Sequence, residues 1–214
     1  MERPQMLRLL ALLSTLALPA QAQHTAGDFD YYVLALSWSP NWCALEGADR
    51  GSPQCDNGAD FGWVLHGLWP QYERGWPADC RHSFRNPSRF ETSAQADLFG
   101  SSGSAWHQWN KHGSCSGLAP NDYYALAREA YSRIARPEVF RKLDRAVTLP
   151  ASLIEEAFMK ENDGLDADEI TITCRAGRIQ EARICLTRDL DLRRCGDDVI
   201  RDCTLDDALF APIP

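Results

Sequence analysis

Phe61-Gly-Trp-Val-Leu-His-Gly-Leu-Trp-Pro70 is the stretch on which the fold turns. Side chains of a strand alternate between its two faces, so Phe61, Trp63 and Leu65 belong on one face and Gly62, Val64 and His66 on the other. The bulky face goes to a core. His66 then looks out from the opposite face, just before a turn at Gly67 and Pro70. Upstream, residues 29–38 are aromatic and apolar almost throughout and are closed by Pro40, which predicts a buried strand. Downstream, residues 121–136 have helix-forming composition after Pro120, with Asn121 or Asp122 as cap. Ser152-Leu-Ile-Glu155 has capping-box form ahead of an apolar stretch that ends at Met159, which predicts a second helix. Residues 170–174, 179–186 and 198–203 predict short strands, with Ala176-Gly177 turning a hairpin. Helices and strands mix without regular alternation, so the chain is expected to be α+β. Gly100-Ser-Ser-Gly-Ser104 reads as a loop, and no linker divides the chain.

The first residues bear on the compartment. Arg3 and Arg8 precede an apolar run at 9–18 that ends in Ala20-Gln21-Ala22, the pattern of a signal peptide cleaved after Ala22. The run is about half the ~20 residues of a membrane helix. Residues 1–22 are therefore expected to be a leader and 23–214 one secreted or periplasmic domain, with no membrane attachment after cleavage. Its eight cysteines (Cys43, Cys55, Cys80, Cys115, Cys174, Cys185, Cys195 and Cys203) are even in number and widely spread, so four disulfides are expected. No Cys-x-x-Cys pair exists, and zinc binding is not expected. The net charge of −8 repels polyanions at long range, which argues against tight sequence-specific DNA binding. A protein that visits RNA only transiently tolerates that charge where local cations and aromatic rings make the contacts.

Trp106-His-Gln-Trp-Asn-Lys-His-Gly-Ser-Cys115 is the second informative stretch. Wound as a helix at about 100° per residue, it places His107, Gln108, Lys111 and His112 on one face and Trp106 and Trp109 on the other. Gly113 ends the helix, and Cys115 ties that end to the rest of the fold. An ordinary amphipathic helix with solvated polar residues accounts for either histidine alone. Metal-binding helices space histidines at i and i+4, whereas His107 and His112 are five apart with Lys111 between them, and carboxylates are scarce in both stretches. No metal or cofactor is expected. Three histidines and a lysine suit an anionic substrate, since one imidazole can accept a proton while another, protonated, gives one up. RNA offers such a reaction: the 2′-hydroxyl attacks the adjacent phosphate while the 5′-oxygen departs.

The two stretches resemble the paired active-site motifs of the ribonuclease T2 family, His-Gly-Leu-Trp-Pro and His-Glu-Trp-x-Lys-His-Gly-Thr-Cys, over roughly residues 28–203. The resemblance implies a metal-independent, secreted endoribonuclease that acts on single-stranded RNA and leaves 2′,3′-cyclic phosphates; a monomer is the default expectation. It implies His112 as the base, His66 as the acid, and His107 with Lys111 on the phosphate. It also implies a central antiparallel sheet flanked by helices and the pairs Cys80–Cys115, Cys174–Cys203 and Cys185–Cys195, and with them Cys43–Cys55. Spacing alone leaves the pairing open. One departure stands out: Gln108 occupies the position of the family's glutamate, and an amide cannot tune neighbouring imidazoles by charge. Reduced activity or a shifted pH profile is expected; the alternative is a weakened descendant that binds RNA or a protein partner. Trp69, Gln71, Tyr72 and Trp76 follow His66 and are candidates for contacting bases. His24 and His82 receive no role, and the acidic pairs at 155–156, 197–198 and 206–207 read as solvated faces.

Overall fold

The computed structural model describes residues 24–214; the expected leader at 1–22 and its expected cleavage after Ala22 lie outside the described residues. Six strands, β1 (Tyr31–Trp38), β2 (Trp63–Gln71), β3 (Val147–Leu149), β4 (Ile170–Arg175), β5 (Arg178–Leu186) and β6 (Ala208–Phe210), form one sheet. β2, β1, β5 and β4 pair antiparallel with their neighbours. β6 meets β5 in parallel only at Arg178–Leu209, and β3 pairs antiparallel with β6. The helices are α1 (Ser39–Trp42), α2 (Arg89–Ser93), α3 (Ala96–Phe99), α4 (Ser102–Lys111), α5 (Pro120–Arg133) and α6 (Ala151–Glu161). Among the described residues no helix is long and apolar enough to cross a membrane.

Both faces of the central strand β1 are buried, which is why residues 29–38 read as continuously apolar. Tyr32, Leu34, Leu36 and Trp38 share the large core with Trp63, Leu65 and Leu68 of β2, Ile170 and Ile172 of β4, and Ala182, Ile184 and Leu186 of β5. Helices α4, α5 and α6 close that core with Trp109, Tyr123, Tyr124, Ile154 and Phe158. Tyr31, Val33 and Ala35 point the other way, into a small cluster with Cys185, Cys195 and Val199. The rest of that second face is open, and the polar cluster described below occupies it.

All eight cysteines are paired, as Cys43–Cys55, Cys80–Cys115, Cys174–Cys203 and Cys185–Cys195. Cys185–Cys195 fastens the C-terminal loop over the small cluster, and Cys80–Cys115 anchors the segment just after α4.

Several sequence expectations need correction. No turn interrupts the chain at Gly67 and Pro70; β2 runs through both, because Pro70 lies near the end of an edge strand, where a missing N–H is tolerated. Residues 198–203 form no strand but a loop held by Cys174–Cys203 and by the Thr171 hydroxyl, which donates to Asp202 and accepts from the Arg201 amide. Short β3 and β6 were not anticipated. Ser152 caps nothing, since α6 starts after Pro150 without a side-chain cap. The true capping box is Ser88 with Glu91, at the start of α2. Three of the five residues of the Gly/Ser loop are helical, because Ser101 accepts from the Ser104 amide and opens α4 at Ser102.

Candidate active site

A β-bulge places the first group of site residues. In the β1–β2 ladder Ala35 pairs with Gly67 while Leu36 pairs with Leu65, so His66 is the extra residue. The bulge changes the phase of the alternation. Trp63 and Leu65 before it and Leu68 after it all reach the core, while His66, Trp69 and Gln71 fall together on the open face. Gly67 is required there by close approach: a Cβ would sit 2.1 Å from Trp69 Nε1 and 2.6 Å from Gln108 Oε1. Those two atoms are themselves bonded, Trp69 Nε1 donating to Gln108 Oε1 at 2.8 Å, which clips β2 to α4 across the glycine.

Strand β5 adds two residues that sequence reading missed, Glu181 and Arg183. They alternate with core-facing Ala182 and Ile184, and their partners on β1 are Ser37 and Ala35. Glu181 is 1% exposed. One of its oxygens accepts from His66 Nδ1 at 2.5 Å, and the other accepts from Arg183 Nε at 2.8 Å. Burial pushes the Glu181 carboxyl up, but the hydrogen bond and charge from His66 and the charge of Arg183 outweigh it and hold the group down at about 2. Two charged residues at i and i+2, alternating with Ala182 and Ile184 in the predicted strand, were the available signal.

Helix α4 supplies the opposite wall. Trp109 is fully buried and fixes its rotation, so His107, Gln108 and Lys111 face the cavity and His112 follows at the helix C-cap. Trp106, expected in the core, is instead half exposed, because Ala105 and Trp109 alone fill the contact with the sheet side. The His112 ring lies 5.2 Å from the Trp69 ring, and the His66 ring lies 5.0 Å from Trp69 on an edge-on approach. Trp69 thus stands between the two histidines. His112 is buried, and its Nδ1 has no hydrogen-bond partner among the described residues. Desolvation, with the charges of Lys111, His66 and His107 behind it, pulls the imidazole down to about 3. Burial, Lys111 and His66 lower His107 as well.

These groups line a cavity of about 300 Å³ with His66, Trp69, Gln71, Trp76, Arg183 and Arg201 among its walls. A wider groove of about 750 Å³ adjoins it across His66, His107 and Gln108, and reaches Arg50 and the start of α4. Gln71 is buried at the cavity wall, and Trp76 is 53% exposed at its rim. Tyr72 is not brought there; it packs against the large core, and its hydroxyl pairs with His24 Nδ1. Asp198, read as solvated, lines the cavity instead and accepts from the Gly75 amide at 2.6 Å. Glu155 is also no free surface acid, since burial and nearby Asp202 raise it to about 7. His82 stacks edge-on against Trp109, a packing role. Among the described residues no group of three His, Cys, Asp or Glu side chains is arranged to hold a metal ion.

The model of the "Ribonuclease T2 family" matches residues 29–195. A "Ribonuclease" of Aeromonas hydrophila is 43% identical over 129 residues, which cover 58% of this chain and 57% of that protein. The chain spans about half the length of the first curated relatives it matches. "Ribonuclease I" of Escherichia coli is 27% identical over 78% of this chain and 77% of its own length. Among solved structures, trichomaglin, titled an S-like ribonuclease, superposes with TM-score 0.67 at 17% identity over 87% of this chain and all of its own. An "RNase-related protein" from Calystegia sepium gives 0.62 at 19%, over 88% of this chain and 98% of its own. At those identities the structures share the fold.

Proposed function

Because this chain belongs to the Ribonuclease T2 family, we propose that it is an endoribonuclease that cleaves single-stranded RNA by transesterification, without a metal, leaving a 2′,3′-cyclic phosphate. The observation that carries the reading is the opposite environment of two histidines across one cavity. His112 is buried, desolvated and held uncharged, the state of a base. His66 holds a buried carboxylate on Nδ1, so that nitrogen carries a proton and Nε2 is the position from which an imidazolium can release another.

The roles follow. His112 takes the proton from the 2′-hydroxyl, O2′ bonds to phosphorus, the P–O5′ bond breaks, and His66 Nε2 gives its proton to O5′. Lys111 and His107 meet the charge on the phosphoryl oxygens. An anionic phosphate between them offsets the charges that depress His112, so the base strengthens when substrate arrives. Gln108 has its oxygen committed to Trp69, which leaves its amide N–H groups for the phosphate. Trp76 at the rim offers a ring for stacking, and Gln71 an amide for hydrogen bonding to a base. A second turnover with the histidines exchanging roles hydrolyses the cyclic ester slowly. A monomeric, exported protein is in keeping with this chemistry.

The test is mass spectrometry of products from single-stranded RNA and matched DNA in excess chelator, with His112→Ala as control. Cyclic-phosphate ends from RNA alone, absent with the variant, are expected. Intact RNA from acidic to neutral pH would instead favour a binding-only descendant, and a requirement for added metal would overturn the mechanism.

A further inference from the structure

The family motif carries its carboxylate on the catalytic helix, and this chain has Gln108 there; yet a carboxylate is present in the site, on strand β5. Glu181 lies at the floor of the open face, where its two oxygens divide between two partners, one on His66 Nδ1 at 2.5 Å and the other on Arg183 Nε at 2.8 Å and Nη2 at 2.7 Å. We propose that Glu181, seated by Arg183, is the positioning residue of the acid histidine: it fixes the His66 tautomer and ring orientation, holds the imidazolium ready for the leaving oxygen, and restores to this site the negative charge that Gln108 lacks. The proposal rests on the assignment of His66 as the acid.

Three observations support it. The pair is directional, since an ionised carboxylate only accepts, so the proton sits on Nδ1 and Nε2 is turned away from Glu181. The carboxylate is almost wholly buried, while the His66 side chain is 42% exposed, so the exchangeable proton is on the accessible partner. The arrangement is also braced: Ser37, opposite Glu181 on β1, and the β1–β2 bulge at His66 set the two residues at fixed register on the two strands that flank β1. The other charged groups around the pair are His107, Lys111 and His112 from α4 and its cap, Arg183 from β5, Asp198 and Arg201 from the C-terminal loop across the cavity, and Glu46, Arg50 and Arg175 along the adjoining groove. Glu46 is engaged by Arg50 and Arg175, which leaves Glu181 as the carboxylate directly on His66.

The experiment separates protonation of the leaving group from everything else. Full-length mature protein and its Glu181→Gln, Glu181→Asp and His66→Ala variants are compared on a dinucleotide, whose alkoxide needs a proton, and on a uridine 3′-(4-nitrophenyl phosphate), whose phenolate leaves without one. Glu181→Gln is expected to slow the dinucleotide about 10- to 100-fold and the nitrophenyl ester at least tenfold less. Its alkaline limb of kcat/KM on the dinucleotide should move to lower pH, and Glu181→Asp should recover part of both. His66→Ala must show the same split between substrates; if it does not, the assignment of the acid fails. If it does and Glu181→Gln slows both substrates equally, or moves no limb, the proposal for Glu181 is overturned. Should Glu181→Gln not fold, imidazole 15N spectra of the unmodified protein decide, because a neutral His66 protonated on Nε2 contradicts the proposal and one protonated on Nδ1 supports it.

Discussion

Lowering the pH from 7 to 4 should cost this protein a specific amount of stability through His112. In the unfolded chain that imidazole titrates at its ordinary value of 6.5, and in the folded chain burial and its cationic neighbours hold it near 3. Between those values the unfolded chain binds a proton that the folded chain refuses, so stability falls as pH falls. At pH 4 the acid has advanced two and a half units below 6.5, and at about 1.4 kcal/mol per unit the loss is about 3 kcal/mol. A domain of ordinary stability has only about 5–15 kcal/mol in all, so the effect is large. Other groups titrate in the same range. Glu91 and Glu181, both held near 2, add to the loss as pH falls below their ordinary 4.5, while Glu155, raised to about 7, works the other way between 7 and 4.5. The measurement is therefore a difference: urea unfolding at half-unit intervals from pH 7 to 4, disulfides intact, for the native protein and for His112→Gln. The native protein should lose about 3 kcal/mol more than the variant over that span. Parallel curves would mean that His112 takes up its proton as readily folded as unfolded, and the argument that burial holds this imidazole uncharged would fall.

Three further outcomes are expected. Gln108→Glu should move the acidic limb of the pH–rate profile upward by about one unit, because a carboxylate beside His107 and His112 favours their protonated forms; an unchanged rate at every pH would refute this. Gly67→Ala should lower stability by about 1–3 kcal/mol and kcat about tenfold or more, since the new methyl collides with Trp69 Nε1 and parts it from Gln108; native melting and turnover together would show that the clip is dispensable. Trp76→Ala should raise KM about tenfold with little change in kcat if its ring stacks on a base, and an equal fall in kcat with KM constant would remove it from substrate binding.

How much of this was legible in the sequence depends on whether a residue's role is local. Helix α4 could be read because its polar and apolar faces are set by 100° steps along one segment, and His107, Gln108, Lys111 and His112 do share a wall. Even there one face was misjudged, since Trp106 faces solvent and only the packing of α4 against the sheet decides how wide its buried stripe is. Strand β2 shows the limit more sharply. Strict alternation places His66 correctly but sends Trp69 and Gln71 to the face of Trp63 and Leu65, and ending the strand at His66 concealed the conflict. The extra residue that resolves it is defined by the pairing of Leu36 with Leu65 and Ala35 with Gly67, a relation between two strands. Glu181 and Arg183 escaped for the same reason. They lie more than a hundred residues beyond His66, and only the order β2-β1-β5 brings them to it. The histidines were visible as motifs and the resemblance implied a role for each, but the physical difference between their surroundings was not legible. In the proposed mechanism burial suits His112 to act as the base and a carboxylate from a distant strand suits His66 to act as the acid, so the contrast between the two histidines depends on tertiary packing and sheet topology.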